Sequence, residues 1–237
     1  MNETFLNNML MGITAYLVAA FGFGAFWTGR RREPPAGLRW ALLTLILSGA
    51  WLATMGYAAM SGWVRPTGVM PPPILRLMAL ALIVTVLVAL SPAAETLSEE
   101  LPMSWLIGFQ VFRVPLELLL FQFSEAGRIP VEMTFHGRNF DLATGAFALV
   151  AAWLARGRGG RRWAKLWNVL GMVLLANVLT IAVRALPGPF HDPQMKPPNM
   201  LPLTWPGIWI VFCVPMALLG HLLVWRKLRL ERASSGT

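Results

Sequence analysis

Seven predominantly apolar stretches of about 17 to 22 residues, divided by short polar or proline-rich connectors, limit what this chain can fold into. A helix rises ~1.5 Å per residue, so each stretch has the length that crosses a ~30 Å hydrocarbon layer. None alternates apolar and polar positions as the ~10-residue strands of a membrane barrel do. The expected fold is therefore all-α: a polytopic transmembrane bundle of about seven helices in a single domain. The expected spans are 6–27, 40–60, 74–90, 103–123, 140–155, 167–185 and 205–225. Composition agrees, since 56% hydrophobic against 13% charged residues in a 237-residue chain is more apolar surface than one soluble core would use. The fifth span is short. If it fails to cross, the helix count and the topology beyond it must change.

The first span follows Glu3, with no Lys or Arg before it, and is followed at once by Arg30, Arg31 and Arg32. A cleaved signal peptide has the opposite charge order, so this reads as a retained helix with its N-terminus outside. Basic residues then alternate between loops. Arg30, Arg31, Arg32 and Arg39, then Arg156, Arg158, Arg161, Arg162 and Lys165, then Arg226, Lys227, Arg229 and Arg232 put thirteen on one side. Arg65, Arg128, Arg138 and Lys196 put four on the other. The positive-inside rule makes the richer side cytoplasmic, with the C-terminus there. A loop containing Glu95, Glu99 and Glu100 falls on that same side, and it is the misfit of the scheme. The net charge of +9 lies at span ends rather than in a patch, which argues for anionic lipid headgroups and topology control over nucleic acid. Arg outnumbers Lys by 17 to 3, a compositional hint of a GC-rich bacterial genome and hence of a bacterial inner membrane.

Leu101 to Leu119 and Leu201 to Leu219 align without a gap at nine identities in nineteen positions, among them Pro102/Pro202, Trp105/Trp205, Phe112/Phe212 and Pro115/Pro215. The two segments are three spans apart and so cross in opposite directions, the relation of an inverted repeat of helices 2–4 and 5–7. Chance agreement between two apolar segments is the competing explanation. Pro115 and Pro215 each free a carbonyl one turn back, on Val111 and Val211.

Few residues can carry chemistry. Arg113 and Glu117 lie four apart on one face of the fourth span, where each ionised group costs roughly 2.5 to 3.5 kcal/mol. They read either as an anion-binding or proton-coupled site or as an ion pair that locks helices together. The segment Glu132 to Asp141, with His136, Gly137, Arg138 and Asn139, gathers most of the remaining hydrogen-bonding types just before the fifth span. Asn139 or Asp141 could cap that helix, or the segment could line an outer cavity. His221, near the inner face, is separated by topology from His136 and His191, so no three-histidine metal site is expected; His136 with Asp141, and His191 with Asp192, remain as mixed N/O pairs. Facing histidines for haem, a lysine within a span for a Schiff base, CxxC and nucleotide motifs are all lacking, and Cys213 is the single cysteine. No cofactor and no metal is expected. Asn168, Asn177 and Thr180 read as interhelical hydrogen bonds in the sixth span.

Arg113 and Glu117 in the fourth span, followed by Met133-Thr-Phe-His-Gly-Arg-Asn-Phe-Asp141, resemble a group of uncharacterised bacterial multi-pass membrane proteins. The resemblance covers about a fifth of the chain; it implies a membrane location and carries no activity or residue role. The reading from the residues is a small carrier or binding protein with an outward-facing cavity for a small anionic or amphiphilic ligand. Its expected site is Arg113, Glu117, His136, Arg138, Asn139 and Asp141, and membrane lipids are the expected surroundings. Two alternatives stand: a membrane-embedded enzyme acting on a lipid-like substrate at the outer leaflet, and a structural membrane subunit.

Overall fold

The computed structural model describes residues 2–234, and among these the regular structure is entirely helical. Helices α1 (Glu3–Arg32) and α2 (Ala36–Met60) form a hairpin. Asn2 caps α1 by accepting the Thr4 amide at 3.0 Å, and the Glu33 amide closes its other end on the Gly29 carbonyl at 2.9 Å. The turn is tight because two glycines let the backbones touch: a Cβ on Gly37 would lie 2.9 Å from the Phe26 carbonyl oxygen, and one on Gly29 3.0 Å from that of Ala36. Most of α2 faces away from the protein, with Leu42, Leu43, Ile46 and Leu47 exposed. Such a face is suited to hydrocarbon.

Next come α3 (Pro73–Leu90), a short α4 (Pro92–Glu100), and a rod made of α5 (Met103–Gly108), a 3-10 stretch (Phe109–Phe112) and α6 (Arg113–Glu125). The 3-10 stretch ends three residues before Pro115, whose ring clashes with the carbonyl four residues back and removes an amide donor, so the backbone tightens there. The chain continues through α7 (Asp141–Leu154) and α8 (Gly160–Ala185), then two 3-10 turns (Leu201–Leu203 and Gly207–Trp209), into α9 (Ile210–Ser234). Six segments are long and apolar enough to cross a membrane: α1, α2, α3, Met103–Glu125, α8 and Gly207–Arg232. This is a multi-pass helical membrane protein. The last of the six is the most buried, and α9 packs against α1, α3, α4, α5 and α8.

The expected fifth span, 140–155, needs correction. Helix α7 has 14 residues, about 21 Å at ~1.5 Å per residue, too short for ~30 Å of hydrocarbon. Its first residue, Asp141, pairs with Arg113, which lies in the middle of the rod Met103–Glu125. The preceding segment is therefore irregular down to the level of Arg113, where α7 begins. Gly127, at φ 68°, and Pro130 account for the break.

Ion pairs and hydrogen bonds define the two ends of the molecule. At one, Arg128 pairs with Glu3. At the other, Arg32 pairs with Glu99 and, at 3.1 Å, with Glu100; Arg226 reaches Glu95 at 2.6 Å; and Arg161 donates to the Leu228 carbonyl at 3.0 Å. The acidic loop that fits the charge rule poorly thus lies among the arginines, its charges met by theirs. Lys227 donates to the Ser98 carbonyl at 2.9 Å, while Gln110 donates to that of Ala217 at 2.9 Å, so α9 runs antiparallel to the fourth span. At the opposite end the proline-rich segment after α8 is more than a connector. It buries Met195, Leu201 and Leu203, and the Asn199 amide donates to the Ala185 carbonyl at 2.8 Å, holding the segment across the bundle.

Candidate functional site

Arg113 is 1% exposed and is the hub of a polar network at the centre of the bundle. Its Nε donates to Gln110 Oε1 at 3.1 Å, its Nη1 pairs with Asp141, and its Nη2 meets His221 Nε2 at 3.0 Å. A guanidinium has only donors, so His221 Nε2 must accept, which leaves the imidazole neutral with its proton on Nδ1. That proton faces Asn168 Oδ1 at 2.8 Å, the acceptor the tautomer calls for. Trp167 stacks on the imidazole at a centroid separation of 4.7 Å and donates its own N–H to the Thr144 carbonyl at 3.1 Å. Four elements are joined in this way: the fourth span, α7, α8 and α9.

Glycines make the convergence possible. A Cβ on Gly145 would lie 3.0 Å from the Arg113 Cβ and 3.0 Å from the Val114 amide nitrogen, and one on Gly171 would overlap the His221 ring. Gln110 also donates to the Ala217 carbonyl across the interface, its amide occupying the space that a side chain at Gly220 would need.

Glu117 does not pair with Arg113, so the ion-pair reading of these two residues gives way to a different pairing. A helical i, i+4 relation places both on one face, but the nearer partners come from the chain that descends beside them. Asp141 takes the Arg113 charge, and Asn139 Nδ2 lies 2.8 Å from each oxygen of Glu117. Asn139 Nδ2 also reaches the Met133 carbonyl at 3.0 Å, and its Oδ1 accepts the Asp141 amide at 3.1 Å, so one asparagine shapes the turn into α7 and holds the carboxylate.

Of the six residues expected at the site, Arg113, Glu117, Asn139 and Asp141 come together. His136 and Arg138 do not. The His136 ring packs against Phe121 and Phe135 at 4.7 Å each, and the exposed Arg138 is held by its backbone, its amide donating to the Glu132 carbonyl at 3.2 Å and its carbonyl accepting from Asn177 Nδ2 at 2.8 Å. His221 lies at mid-depth rather than near the inner face, because its helix runs to Ser234 and the apolar segment Gly207–Arg232 centres close to it. Gln110, Asn168 and His221 are the residues that reasoning along the sequence left out of the site. The signal for His221 was its distance from both ends of an extended helix; Gln110 stood one turn before Arg113. Asn168 and Asn177 bridge segments as expected, whereas Thr180 donates to Ala176 within its own helix at 2.9 Å.

The network forms the inner end of a cavity of about 80 Å³ lined by Arg113, Glu117 and Asp141 and otherwise almost wholly by apolar side chains of α3, α6, α8 and α9. Asn199 and Pro202 close it toward the proline-rich segment. Helices α3 and α8, which both line it, flank α9 with little direct contact between them. No curated protein and no solved structure matches the chain. Residues 71–229, which include every member of this network, match the family described as Domain of unknown function (DUF8737), and the chain belongs to that family.

Proposed function

We propose that this protein is a membrane carrier or binding protein for an amphiphile, one end of which enters the cavity between α3 and α8 and meets Glu117. The observation that carries this reading is the charge balance at the cavity's inner end. Arg113 is matched by Asp141 and engaged by Gln110 and His221, whereas Glu117 is buried with Asn139 as its hydrogen-bond partner and, among the described residues, forms no ion pair. A buried carboxylate without a counter-charge is costly, and a ligand that brings positive charge or a hydrogen-bond donor offsets that cost. A small anion is the poorer match, since the guanidinium that would attract it is already neutralised. The cavity's small volume and mostly apolar lining suit one end of a molecule whose remainder stays in lipid. The orientation we propose puts the arginine-rich end in the cytoplasm and the cavity in the outer half of the membrane. The antiparallel course of the fourth span and α9, touching at Gln110 and Ala217, is compatible with an inverted repeat.

Lipids extracted from purified protein and identified by mass spectrometry test the reading. Wild type should retain an amphiphile with an amine or hydroxyl head above its abundance in the bulk membrane, and Glu117→Gln should lose that enrichment. Retained lipids that mirror the bulk in both proteins would remove the proposal. A structural role has one observation in its favour, that the network ties four elements together. The enzyme reading has less in its favour: the His136 ring packs against Phe121 and Phe135 and takes no part in the network.

A further inference from the structure

A second and larger cavity, of about 340 Å³, is a groove between α1 and the fourth span, with α4 and α9 contributing to its walls. Those walls are apolar apart from Tyr16 and Ser104, and Gly24, Gly108 and Gly220 line the groove without side chains, which keeps it hollow. Tyr16, Phe23 and Trp105 are exposed on its flank, so it opens sideways, where a membrane protein meets hydrocarbon. A further groove continues it along α1: Tyr16 lines both, and Met9 and Gly12 line the continuation together with Val111 and Pro115 of the fourth span. Met9 and Gly24 are fifteen residues apart, about 22 Å along a helix at ~1.5 Å per residue, which exceeds the half-thickness of a ~30 Å hydrocarbon layer that one lipid chain occupies.

At the arginine-rich end the rim of the groove is aromatic. The Trp105 ring lies 5.6 Å from that of Phe23 and 5.2 Å from that of Trp27, and the Arg31 guanidinium sits over the Trp27 ring at 5.2 Å. Along α1, Tyr16, Ala20, Phe23, Trp27 and Arg31 follow one another at spacings of three and four, a single stripe that runs from the groove to a cation. Tryptophans are enriched at the level of lipid headgroups. Arg31 is exposed and, among the described residues, pairs with no carboxylate. The acidic end of α4 is already answered by others: Arg32 pairs with Glu99 and Glu100, and Lys227 donates to the Glu99 carbonyl at 3.2 Å.

We infer that this groove is a binding site for one anionic phospholipid of the leaflet at the arginine-rich end, with an acyl chain lying along α1 against the fourth span and the phosphate at Arg31. The acyl chain matches the apolar walls. The contact with Trp27 consumes none of the Arg31 N–H groups, which remain for phosphate oxygens. A second copy of the chain in the same orientation is a poorer occupant, because its own Arg30, Arg31 and Arg32 would meet the same rim, and like charges brought together oppose association. Glu117 does not line the groove, so the site stands apart from the carrier reading.

Native mass spectrometry of the detergent-solubilised protein, titrated with phosphatidylglycerol or with phosphatidylcholine of identical chains, tests the site. Wild type should bind its first phosphatidylglycerol about fivefold more tightly than phosphatidylcholine, the effect of one basic side chain beside an anionic headgroup. Arg31→Gln should remove that preference, whereas Arg158→Gln, in the exposed turn between α7 and α8, should keep it. Ala20→Phe fills the groove and should weaken binding of both lipids. Thermal unfolding checks that the variants fold, and Arg31→Gln, at an exposed position, decides the matter if Ala20→Phe does not. Equal binding of the two lipids by wild type, or a preference that survives in Arg31→Gln, would overturn the site. So would a dimer that Ala20→Phe dissociates, which would give the groove to a second copy. Glu117→Gln should leave the preference unchanged; its loss there instead would move the lipid to the other cavity and overturn the inference.

Discussion

Arg113 shows how a costly residue becomes a tolerable one. Its guanidinium is buried, yet it has a carboxylate, an amide oxygen and an imidazole nitrogen as partners, so desolvation is offset by charge-assisted hydrogen bonds. Removing it strands three acceptors at once. Arg113→Ala should lower stability by about 3–5 kcal/mol in thermal unfolding of the detergent-solubilised protein. Asp141→Ala should cost a similar amount, and the double variant clearly less than the sum, because the second change removes the charge that the first left unpaired. Additive losses would mean that the pair does not act as a unit. Glu117 belongs to a different local environment despite standing one turn away, and the reason is Asn139, which turns Asp141 toward the arginine and holds Glu117 through its own amide.

At the scale of elements, α7 is the unusual piece: a helix of 14 residues whose N-terminus lies at the level of the buried arginine instead of at a membrane surface. An irregular backbone at this depth is tolerated where protein surrounds it, and Asn139, Met133 and Thr134 satisfy its polar groups. Close packing of α7, α8 and α9 depends on glycine. Gly171→Ala forces a methyl into the His221 ring and Thr144, and should destabilise by roughly 1–3 kcal/mol. Gly12→Ala on α1, with nothing within 4 Å of the added carbon, should be neutral or slightly stabilising in the same melting assay. Equal effects at the two positions would show that the buried interface is looser than its geometry implies. The family match begins at residue 71, leaving the α1–α2 hairpin outside it, while α1 forms one wall of the larger cavity.

For the molecule as a whole, six helices are long and apolar enough to cross a membrane, with the shorter α7 beside them. Glu3 lies with Arg128 at one end and Arg226 with Glu95 at the other, so the first and last helices place their outer ends at opposite ends of the molecule. Fluorescent and phosphatase reporters fused in turn to each terminus should place the C-terminus in the cytoplasm and the N-terminus outside; both termini on one side would refute the arrangement. The apolar runs, their lengths and the spacing of arginines were sufficient to read an all-helical membrane bundle, because burial in lipid is decided by composition over a window of residues. Arg113, Glu117, Asn139 and Asp141 were also legible, since ionisable or strongly polar groups between apolar runs stand out. Their pairing was not. Local spacing put Glu117 beside Arg113, but besides the nearby Gln110 it is Asp141 and His221, 28 and 108 residues away, that reach the guanidinium. Hydropathy ranks residues by the solvent each prefers and says nothing about which helix lies against which. That choice was made by tertiary packing, through glycines that let backbones approach and through donors that found acceptors far along the chain.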